Sequence, residues 1–334
     1  MILLTYKLKI KEVIIMRYIV TGADGKLAGR VAEIMLKNVS GDQLTFTCYD
    51  MNRLPADKLK RWQDAGVRVV EADYNDKESL VKAFADGDRL FLISGLDVGK
   101  RVQQHKNAID AAIENGVQHI TYTSFVGATD PAYEHVFVTP DHTATEEYLE
   151  STGIQYAALR NNLYLETFMT MRAMLAFMSD GRWVTTAGEG KATLVHKDDC
   201  AAAAAAALLG KGGDRKVFNI VGSQAISVRE LCEIIAKRSG VDLEYVPATQ
   251  EEYYSYLEKL NIPHDMSGDF SKSPAPFSAN DVVDNDQAVG DGLFNVESND
   301  IEFLTGNKPK TAMDIAANFD YIWRDNITNW RQMK

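Results

Sequence analysis

A glycine-rich segment follows the first strongly apolar run of the chain. It reads Thr-Gly-Ala-Asp-Gly-Lys-Leu-Ala-Gly over residues 21–29 and precedes an amphipathic stretch. Gly22 permits a tight turn, Gly25 lets backbone N–H groups approach a pyrophosphate, and the small Ala28 permits close packing of helix on strand. The following helix N-terminus favours the phosphate charge. The segment predicts a dinucleotide-binding loop, with a plain structural turn as the alternative. The predicted contact residues are Gly22, Ala23, Asp24, Gly25, Lys26, Leu27 and Ala28.

The ends of the following predicted strands offer candidates for the rest of a cofactor site. Asp50 lies 25 residues after Gly25, near the spacing expected for the acid that binds the adenosine ribose hydroxyls. Asp50 favours NAD, whereas Arg53 could bind the 2′-phosphate of NADP, and both could be plain turn residues. The choice between NAD and NADP stays open, with a lean to NAD. Weaker candidates are Asp73 and Tyr74 for adenine, and Ser94 and Gly95 for the ribose and phosphates.

Short apolar runs alternate with amphipathic segments from Met16 onward, as in βαβ units with a parallel sheet. Right-handed crossovers between such units generate an α/β fold, a Rossmann-type doubly wound parallel sheet. Its ligand crevice lies at the carboxyl ends of the strands, where the candidate residues lie. Strands are predicted at residues 18–21, 44–49, 67–72, 89–94, 119–123 and 155–159.

The regular alternation of short apolar runs and amphipathic segments ends after Arg160, which divides the chain into two predicted parts. Residues 16–162 form an NAD(P)-binding domain, completed by about 190–222, and residues 163–189 and 223–334 form a smaller α/β substrate lobe. Residues 264–295 hold several Asp, Ser, Gly and Pro and predict a long loop with little core of its own. Residues 1–15 form a leader that could be a mis-assigned start, an edge strand or an arm, and its order of apolar residues before lysines is the reverse of a signal peptide.

Composition excludes several classes of function. The 334 residues carry 36 Lys and Arg against 47 Asp and Glu, and the net charge of −11 disfavours nucleic acids and anionic membranes as partners. No apolar run approaches the roughly 20 residues of a membrane span. Cys48, Cys200 and Cys232 lie far apart, and the six histidines form no i, i+4 pair, so neither a disulfide framework nor a metal site is expected. A reducing cytoplasm fits this pattern.

The motifs together resemble the NmrA-like branch of the atypical short-chain dehydrogenase/reductases, especially bacterial type 2 quinone oxidoreductases and triphenylmethane reductases. The resemblance covers nearly all of the chain from residue 16, and its implied cofactor contacts extend to the end of the sixth strand. Ordinary packing is the alternative for Leu163 and Tyr164. The matching stretches are residues 21–27, 71–74, 90–94, 104–107, 122–124 and 159–164, with Glu166. The implied contacts are Ser94, Gly95, Leu96, Asn161, Asn162, Leu163, Tyr164 and Glu166.

The chain departs from this family pattern at three positions. Ala28 replaces the third glycine of the loop, which its small side chain tolerates. Tyr49 and Asp50 replace the basic residue that often ends the second strand in NADPH-using relatives, and Asp50 favours NAD. Residues 264–295 are longer and more acidic than the pattern, so the substrate pocket could differ.

Typical short-chain dehydrogenases also carry a Tyr and a Lys four residues apart, because the ammonium lowers the phenol's pKa for proton transfer. None of the fourteen tyrosines here has Lys at the fourth following position. Against the family pattern, the Tyr position falls on Val138 and the Lys position on His142, while Ser124 is retained. Ser124 and His142 are therefore the candidate catalytic residues, with capping or strand-end hydrogen bonding as the alternative for each.

A quinone can accept hydride without such a Tyr, because reduction delocalises charge over the ring and water completes protonation. The sequence thus predicts an NAD(P)H-dependent oxidoreductase acting on a small quinone-like or conjugated aromatic acceptor. The alternative is a regulator that senses the dinucleotide without catalysis, as the resemblance implies for some members. A homodimer is left open.

Overall fold

The computed structural model describes residues 15–97 and 99–333. Residues 1–14 of the predicted leader lie outside the described residues. The strands are β1 (Tyr18–Val20), β2 (Leu44–Cys48), β3 (Arg68–Glu71), β4 (Arg89–Leu92), β5 (His119–Phe125), β6 (Gln155–Asn161), β7 (Arg182–Thr185), β8 (Lys191–Ala192), β9 (Val217–Ile220), β10 (Ile226–Ser227) and β11 (Glu244–Pro247).

The helices interleave with these strands. They are α1 (Lys26–Asn38), α2 (Ala56–Asp64), α3 (Lys77–Phe84), α4 (Arg101–Glu114), α5 (Thr139–Thr152), α6 (Leu165–Thr167), α7 (Ala173–Phe177), α8 (Lys197–Leu208), α9 (Val228–Ser239), α10 (Gln250–Lys259), α11 (Ala279–Gly290), α12 (Asp300–Thr305), α13 (Ala312–Ile315) and α14 (Tyr321–Arg324).

Within the described residues, seven strands form one sheet in the order β3-β2-β1-β4-β5-β6-β9. Every neighbouring pair is parallel. The strand order reverses between β1 and β4, which creates the crevice where open α/β sheets bind ligands. The predicted doubly wound Rossmann-type fold is confirmed.

Alternate side chains of β1, β4 and β6 enter two different cores, because successive residues point to opposite faces of a sheet. In β1, Val20 packs with α1 and α8, whereas Ile19 packs with α3 and α4 on the other face. Strands buried on both faces read as continuous apolar runs, which is why the sequence pattern identified them.

The alanine-rich helix α8 lies close against the sheet face that also carries α1. Its small side chains permit this approach, and alanine has a high helix propensity. Arg89, at the start of β4, donates to the carbonyls of Leu208 and Ala207 at 2.6 and 3.3 Å. These bonds satisfy carbonyls that the helix end leaves without partners.

A third apolar core is formed mostly by residues after β6, here called the smaller lobe, and two short ribbons, β7 with β11 and β8 with β10, belong to the same part of the chain. The prediction of a coreless loop over residues 264–295 is wrong, because α11 lies there and buries Val282, Val283 and Val289 in that core. Acidic residues on α11 concealed its apolar face. One of them, Asp286, is buried and paired with Arg172 at 2.7 Å.

Candidate functional site

The glycine loop forms an open turn at the carboxyl end of β1. Gly22 has a φ of +63°, in the left-handed region that glycine favours, and a Cβ there would lie 2.7 Å from Cγ2 of Ile93. Helix α1 starts at Lys26, and no side chain caps its N-terminus at Gly25. Gly25 and Lys26 are exposed. The loop therefore offers backbone N–H groups and a helix dipole to an anionic ligand, as predicted for a pyrophosphate.

Hydrogen bonds from β3 and β4 hold this loop in place. Thr21 Oγ1 lies 2.6 Å from the Tyr74 hydroxyl and donates to the Phe91 carbonyl at 3.0 Å. Tyr74 in turn donates to the Ile93 carbonyl at 2.9 Å. The phenol of Tyr74 is therefore engaged within the protein, so an adenine contact, as predicted, would involve other atoms of this residue.

Acidic and basic groups gather at the end of β2. Oδ1 of Asp50 accepts hydrogen bonds from the backbone N–H and the side-chain amide of Asn52, at 2.8 and 2.9 Å. Nη1 of Arg53 lies 3.2 Å from Oδ2 of Asp24, a loop residue whose side chain is only 3% exposed. Both predicted ribose-site residues are thus near the loop, and each already has a partner.

The segment after β4 is fixed by a buried histidine that sequence reasoning did not single out. Gly95 N–H donates to Nε2 of His105 at 2.9 Å, so the ring proton lies on Nδ1, 2.8 Å from Oγ1 of Thr145. Burial lowers the pKa of His105 to about 3. The neutral histidine orients the backbone between Ser94 and Leu96. The side chain of Leu96 is exposed beside it.

Ser124, a candidate catalytic residue, lies near the end of β5 beside a buried ion pair. Its hydroxyl donates to Oε1 of Glu146 at 2.5 Å. Glu146 also receives two hydrogen bonds from Arg160, at 3.0 and 2.6 Å, and its side chain is 4% exposed. The hydroxyl is therefore held by a carboxylate rather than by a general base of the histidine type.

His142, the other candidate, lies inside α5 within a different network. Nδ1 lies 2.8 Å from the Tyr122 hydroxyl, and Nε2 lies 3.5 Å from Nη1 of Arg101. Burial, with the nearby charge of Arg101, lowers the pKa of His142 well below its usual value near 6.5. The ring stacks on Phe125 with centroids 5.9 Å apart. The structure does not join Ser124 and His142 through a shared partner, and their catalytic roles stay predictions.

The end of β6 carries the residues implied for the nicotinamide. Asn161 donates to the Tyr164 hydroxyl at 3.1 Å, and its buried Oδ1 has no hydrogen-bond partner among the described residues. Asn162 donates to the carbonyls of Thr193 and Phe294, at 3.1 and 2.9 Å, so it links the lobes. Asn161 is thus the member of this pair with an acceptor free for a ligand.

Tyr164 and Glu166, the last two cofactor contacts that the family resemblance implies, lie beside the N-terminus of α8. Leu163 packs against the core of the smaller lobe. Glu166 accepts the backbone N–H of Lys197 at 3.0 Å and lies 3.8 Å from Nη1 of Arg30 on α1. Nζ of Lys197 lies 4.9 Å from the ring centroid of Tyr164. Burial lowers the pKa of Lys197. This lysine, 33 positions after its tyrosine, gave no local signal in the sequence.

The described residues include neither a membrane-spanning helix nor a metal-binding cluster. No helix among them is long and apolar enough to cross a bilayer. No group of three or more His, Cys, Asp or Glu side chains among them is arranged to hold a metal ion.

A parallel sheet with a glycine loop at its switch point defines a dinucleotide-binding protein of the Rossmann type. Residues 16–302 match the model of the NmrA-like family, and the chain belongs to that family. The predicted family membership is confirmed.

Relatives in sequence and structure agree with this assignment. The chain is 31% identical over 271 residues to quinone oxidoreductase 2 of Escherichia coli K12, covering 81% of this chain and 91% of that protein. The Escherichia coli NADPH-dependent quinone oxidoreductase in complex with NADPH superposes with a TM-score of 0.78 at 28% identity, covering 91% and 99% of the two chains. The Citrobacter triphenylmethane reductase with NADP(H) gives 0.76 at 31% identity, covering 90% and 99%.

Proposed function

We propose that this NAD(P)H-dependent oxidoreductase transfers a hydride from the nicotinamide to a quinone-like or conjugated aromatic acceptor. Its relatives include proteins named for quinone and triphenylmethane reduction. The observation that carries the proposal is the state of the two candidate acids. His142 is buried with a pKa well below its usual value, and the Ser124 hydroxyl donates a hydrogen bond to Glu146.

An acceptor that needs a protein acid would be reduced slowly at such a site. A ketone becomes a strongly basic alkoxide when it accepts hydride, and an enzyme normally protonates it with a positioned group. A quinone spreads the added charge over its ring, so water can supply the proton later. Catalysis then comes mainly from holding nicotinamide and acceptor in reacting geometry.

A mostly buried cluster of aromatic rings lies next to Asn161. Phe125 pairs in register with Asn161 across β5 and β6, and its ring lies 5.6 Å from that of Phe294 in the smaller lobe. Tyr133 lies 6.0 Å from Phe294, also ring to ring. Phe294 is fully buried and Phe125 and Tyr133 are 8% exposed, so we propose that a flat acceptor meets only the exposed edges of Phe125 and Tyr133.

The cofactor is proposed to be NADH in preference to NADPH. Asp24 pairs with Arg53 at the end of β2, and Glu71 accepts the Met51 N–H nearby at 3.0 Å. Carboxylates at this position favour the ribose hydroxyls over a 2′-phosphate.

The proposal is tested by following NADH and NADPH oxidation with benzoquinones, naphthoquinones, a triphenylmethane dye and a simple ketone as the contrasting acceptor. We expect turnover with the conjugated acceptors and little with the ketone. Tight cofactor binding without oxidation by any acceptor would contradict the proposal and favour the dinucleotide-sensing regulator.

A further inference from the structure

We propose that Asp24, rather than Asp50, makes this protein select an unphosphorylated adenosine ribose and reject a 2′-phosphate. The inference rests on the proposed function, because it requires a dinucleotide in the crevice. It assigns cofactor specificity to a residue of the glycine loop itself.

The geometry places the Asp24 carboxylate between the loop and the end of β2. Oδ1 lies 3.4 Å from the backbone nitrogen of Tyr49, and Oδ2 lies 3.2 Å from Nη1 of Arg53. Tyr49 and Arg53 flank the position where the ribose-binding acid of this fold is expected. Asp24 therefore reaches that position from the loop, whereas a residue at the end of β2 would reach it from the strand.

Asp50, the residue with the expected spacing, is engaged elsewhere. Its Oδ1 accepts both the backbone and side-chain N–H groups of Asn52, which fixes the short turn Met51–Arg53. A carboxylate that caps its own turn has less capacity to bind a ligand in the crevice.

Asp24 has an acceptor left for a ribose hydroxyl. Its Oδ2 is buried and accepts no hydrogen bond from any described residue, since the contact to Arg53 is an ion pair without hydrogen-bond geometry. A buried carboxylate oxygen in this state gains from a donor such as the 2′-hydroxyl of NADH. A 2′-phosphate has no comparable proton to donate at neutral pH and would place like charge beside the carboxylate.

The same ion pair removes Arg53 from phosphate binding. Arg53 would otherwise be a fitting partner for a 2′-phosphate, because a guanidinium binds phosphate oxygens in a planar, two-point contact. Asp24, Glu71 and Lys58 all act electrostatically on the Cys48 thiol at the end of β2, so all three lie near this position. Lys58 lies over the Trp62 ring, 4.6 Å from its centroid. Because Arg53 is paired with Asp24, its charge is already compensated when a phosphate approaches.

The test measures dissociation constants for NADH and NADPH, by calorimetry, in the unmodified protein and three variants. D24N keeps the shape of the side chain but removes its charge and so releases Arg53. We expect the ratio of the NADPH constant to the NADH constant to fall at least about tenfold, the lower end of what a hydrogen bond between charged groups contributes. D24N/R53A should lose this gain. D50N, the matched control, should leave the ratio within about threefold.

The outcomes separate this inference from the proposed function. An unchanged ratio of the NADPH to the NADH dissociation constant in D24N, or a tenfold change in D50N alone, would overturn the role of Asp24. The proposed oxidoreductase function would be unaffected. Tighter binding of NADPH than NADH by the unmodified protein would also overturn the role of Asp24. Failure of the unmodified protein to bind either nucleotide would overturn the proposed function, and this inference with it. D24T provides a second variant if D24N unfolds at a lower temperature than the unmodified protein.

Discussion

Gly22 turns the chain from β1 into the loop at a conformation that other residues rarely adopt. We predict that G22V abolishes dinucleotide binding, because a valine strains the backbone at φ +63° and places its side chain against Ile93. The strain itself costs about 1–3 kcal/mol, which should leave most of the protein folded. Calorimetric titration with NADH and NADPH, with circular dichroism as the check on folding, measures both effects.

Gly116 offers the matched control for this substitution. It has a similar φ of +74° but no atom within 4 Å of the position of a Cβ, and it lies after α4. G116V should show comparable backbone strain and retain dinucleotide binding. Unchanged affinity in G22V would mean that the glycine loop does not hold the pyrophosphate.

His142 is the residue at which proton transfer and positioning can be distinguished. With its pKa lowered by burial, it stays neutral at physiological pH, and its nitrogens contact Tyr122 and Arg101. We predict that H142A lowers turnover with quinones by no more than about 100-fold, the lower end of general acid–base contributions. The pH profile of turnover between 5.5 and 8 should keep its shape.

Ser124 provides the comparison for His142. S124A should also lower turnover by no more than about 100-fold. Changes at Asn161 should be more harmful, because a displacement of about 1 Å between nicotinamide and acceptor can itself cost about 100-fold. A loss of several thousandfold in H142A, with altered pH dependence, would identify it as an acid and contradict acceptor reduction by positioning alone.

Among the secondary-structure elements, the sequence predicted those that local residue patterns determine. Strands β1, β4 and β6 were found because they are buried on both faces and so contain apolar runs, and the glycine loop was found because its geometry needs glycine. The contact between Asp24 and Arg53 joins residues 29 positions apart and forms only when β2 lies beside the loop. Likewise, Ser124 on β5 and Glu146 on α5 are 22 positions apart and meet only because α5 packs beside β5.

Helix α11 is the element that the sequence pattern concealed. Asp286 looks like a surface residue in the sequence, but Arg172, Tyr253 and Thr185 all bond to its carboxylate inside the smaller lobe, at 2.7, 3.0 and 2.7 Å. A charge whose partner lies more than 100 positions away cannot be recognised from its neighbours. The segment therefore looked polar although one of its faces is core.

This buried pair gives a prediction for the packing of α11. Arg172 and Asp286 have side chains 7% and 1% exposed. Replacing Arg172 by Met leaves a buried carboxylate without its cation, so we predict a loss of about 3–5 kcal/mol in the free energy of unfolding. Urea denaturation measures it.

A double variant and an exposed pair serve as controls. R172M/D286N should recover part of the lost stability, because the uncompensated charge is removed as well. Arg182 and Glu244 form a pair that is 55% and 72% exposed, and R182M should change stability by less than about 1 kcal/mol. Equal effects of R172M and R182M would show that the buried pair has no special role.

For the whole molecule, buried histidines make stability depend on pH. Burial lowers the pKa of His105 to about 3 and of His119 to about 4, and it lowers that of His142 as well. Their unfolded values lie near 6.5, so below that pH the unfolded chain binds more protons than the folded protein. Stability should therefore be full above about pH 7 and should fall as the pH drops towards 4.

His119 allows this dependence to be measured at one position. H119Q cannot take up a proton, so its loss of stability between pH 7.5 and 5 should be smaller than that of the unmodified protein by roughly 2 kcal/mol. Urea denaturation at the two pH values gives the difference. H135Q, at an exposed histidine, is the control and should leave the dependence unchanged. Identical pH dependence in H119Q and the unmodified protein would mean that His119 is protonated in the folded state.

The return of the chain to the sheet also affects how the protein is synthesised. The outer neighbour of β6 is β9, and Ala158 pairs with Val217 although the two residues are far apart in the chain. A ribosome adding about 5–20 residues per second needs roughly 3 to 11 seconds to make the chain between these strands. During that interval the nascent sheet ends in an unpaired, apolar edge at β6, which is open to pairing with other chains. Translation speed over residues 162–216, and any chaperone that covers this edge, should therefore influence the yield of folded protein.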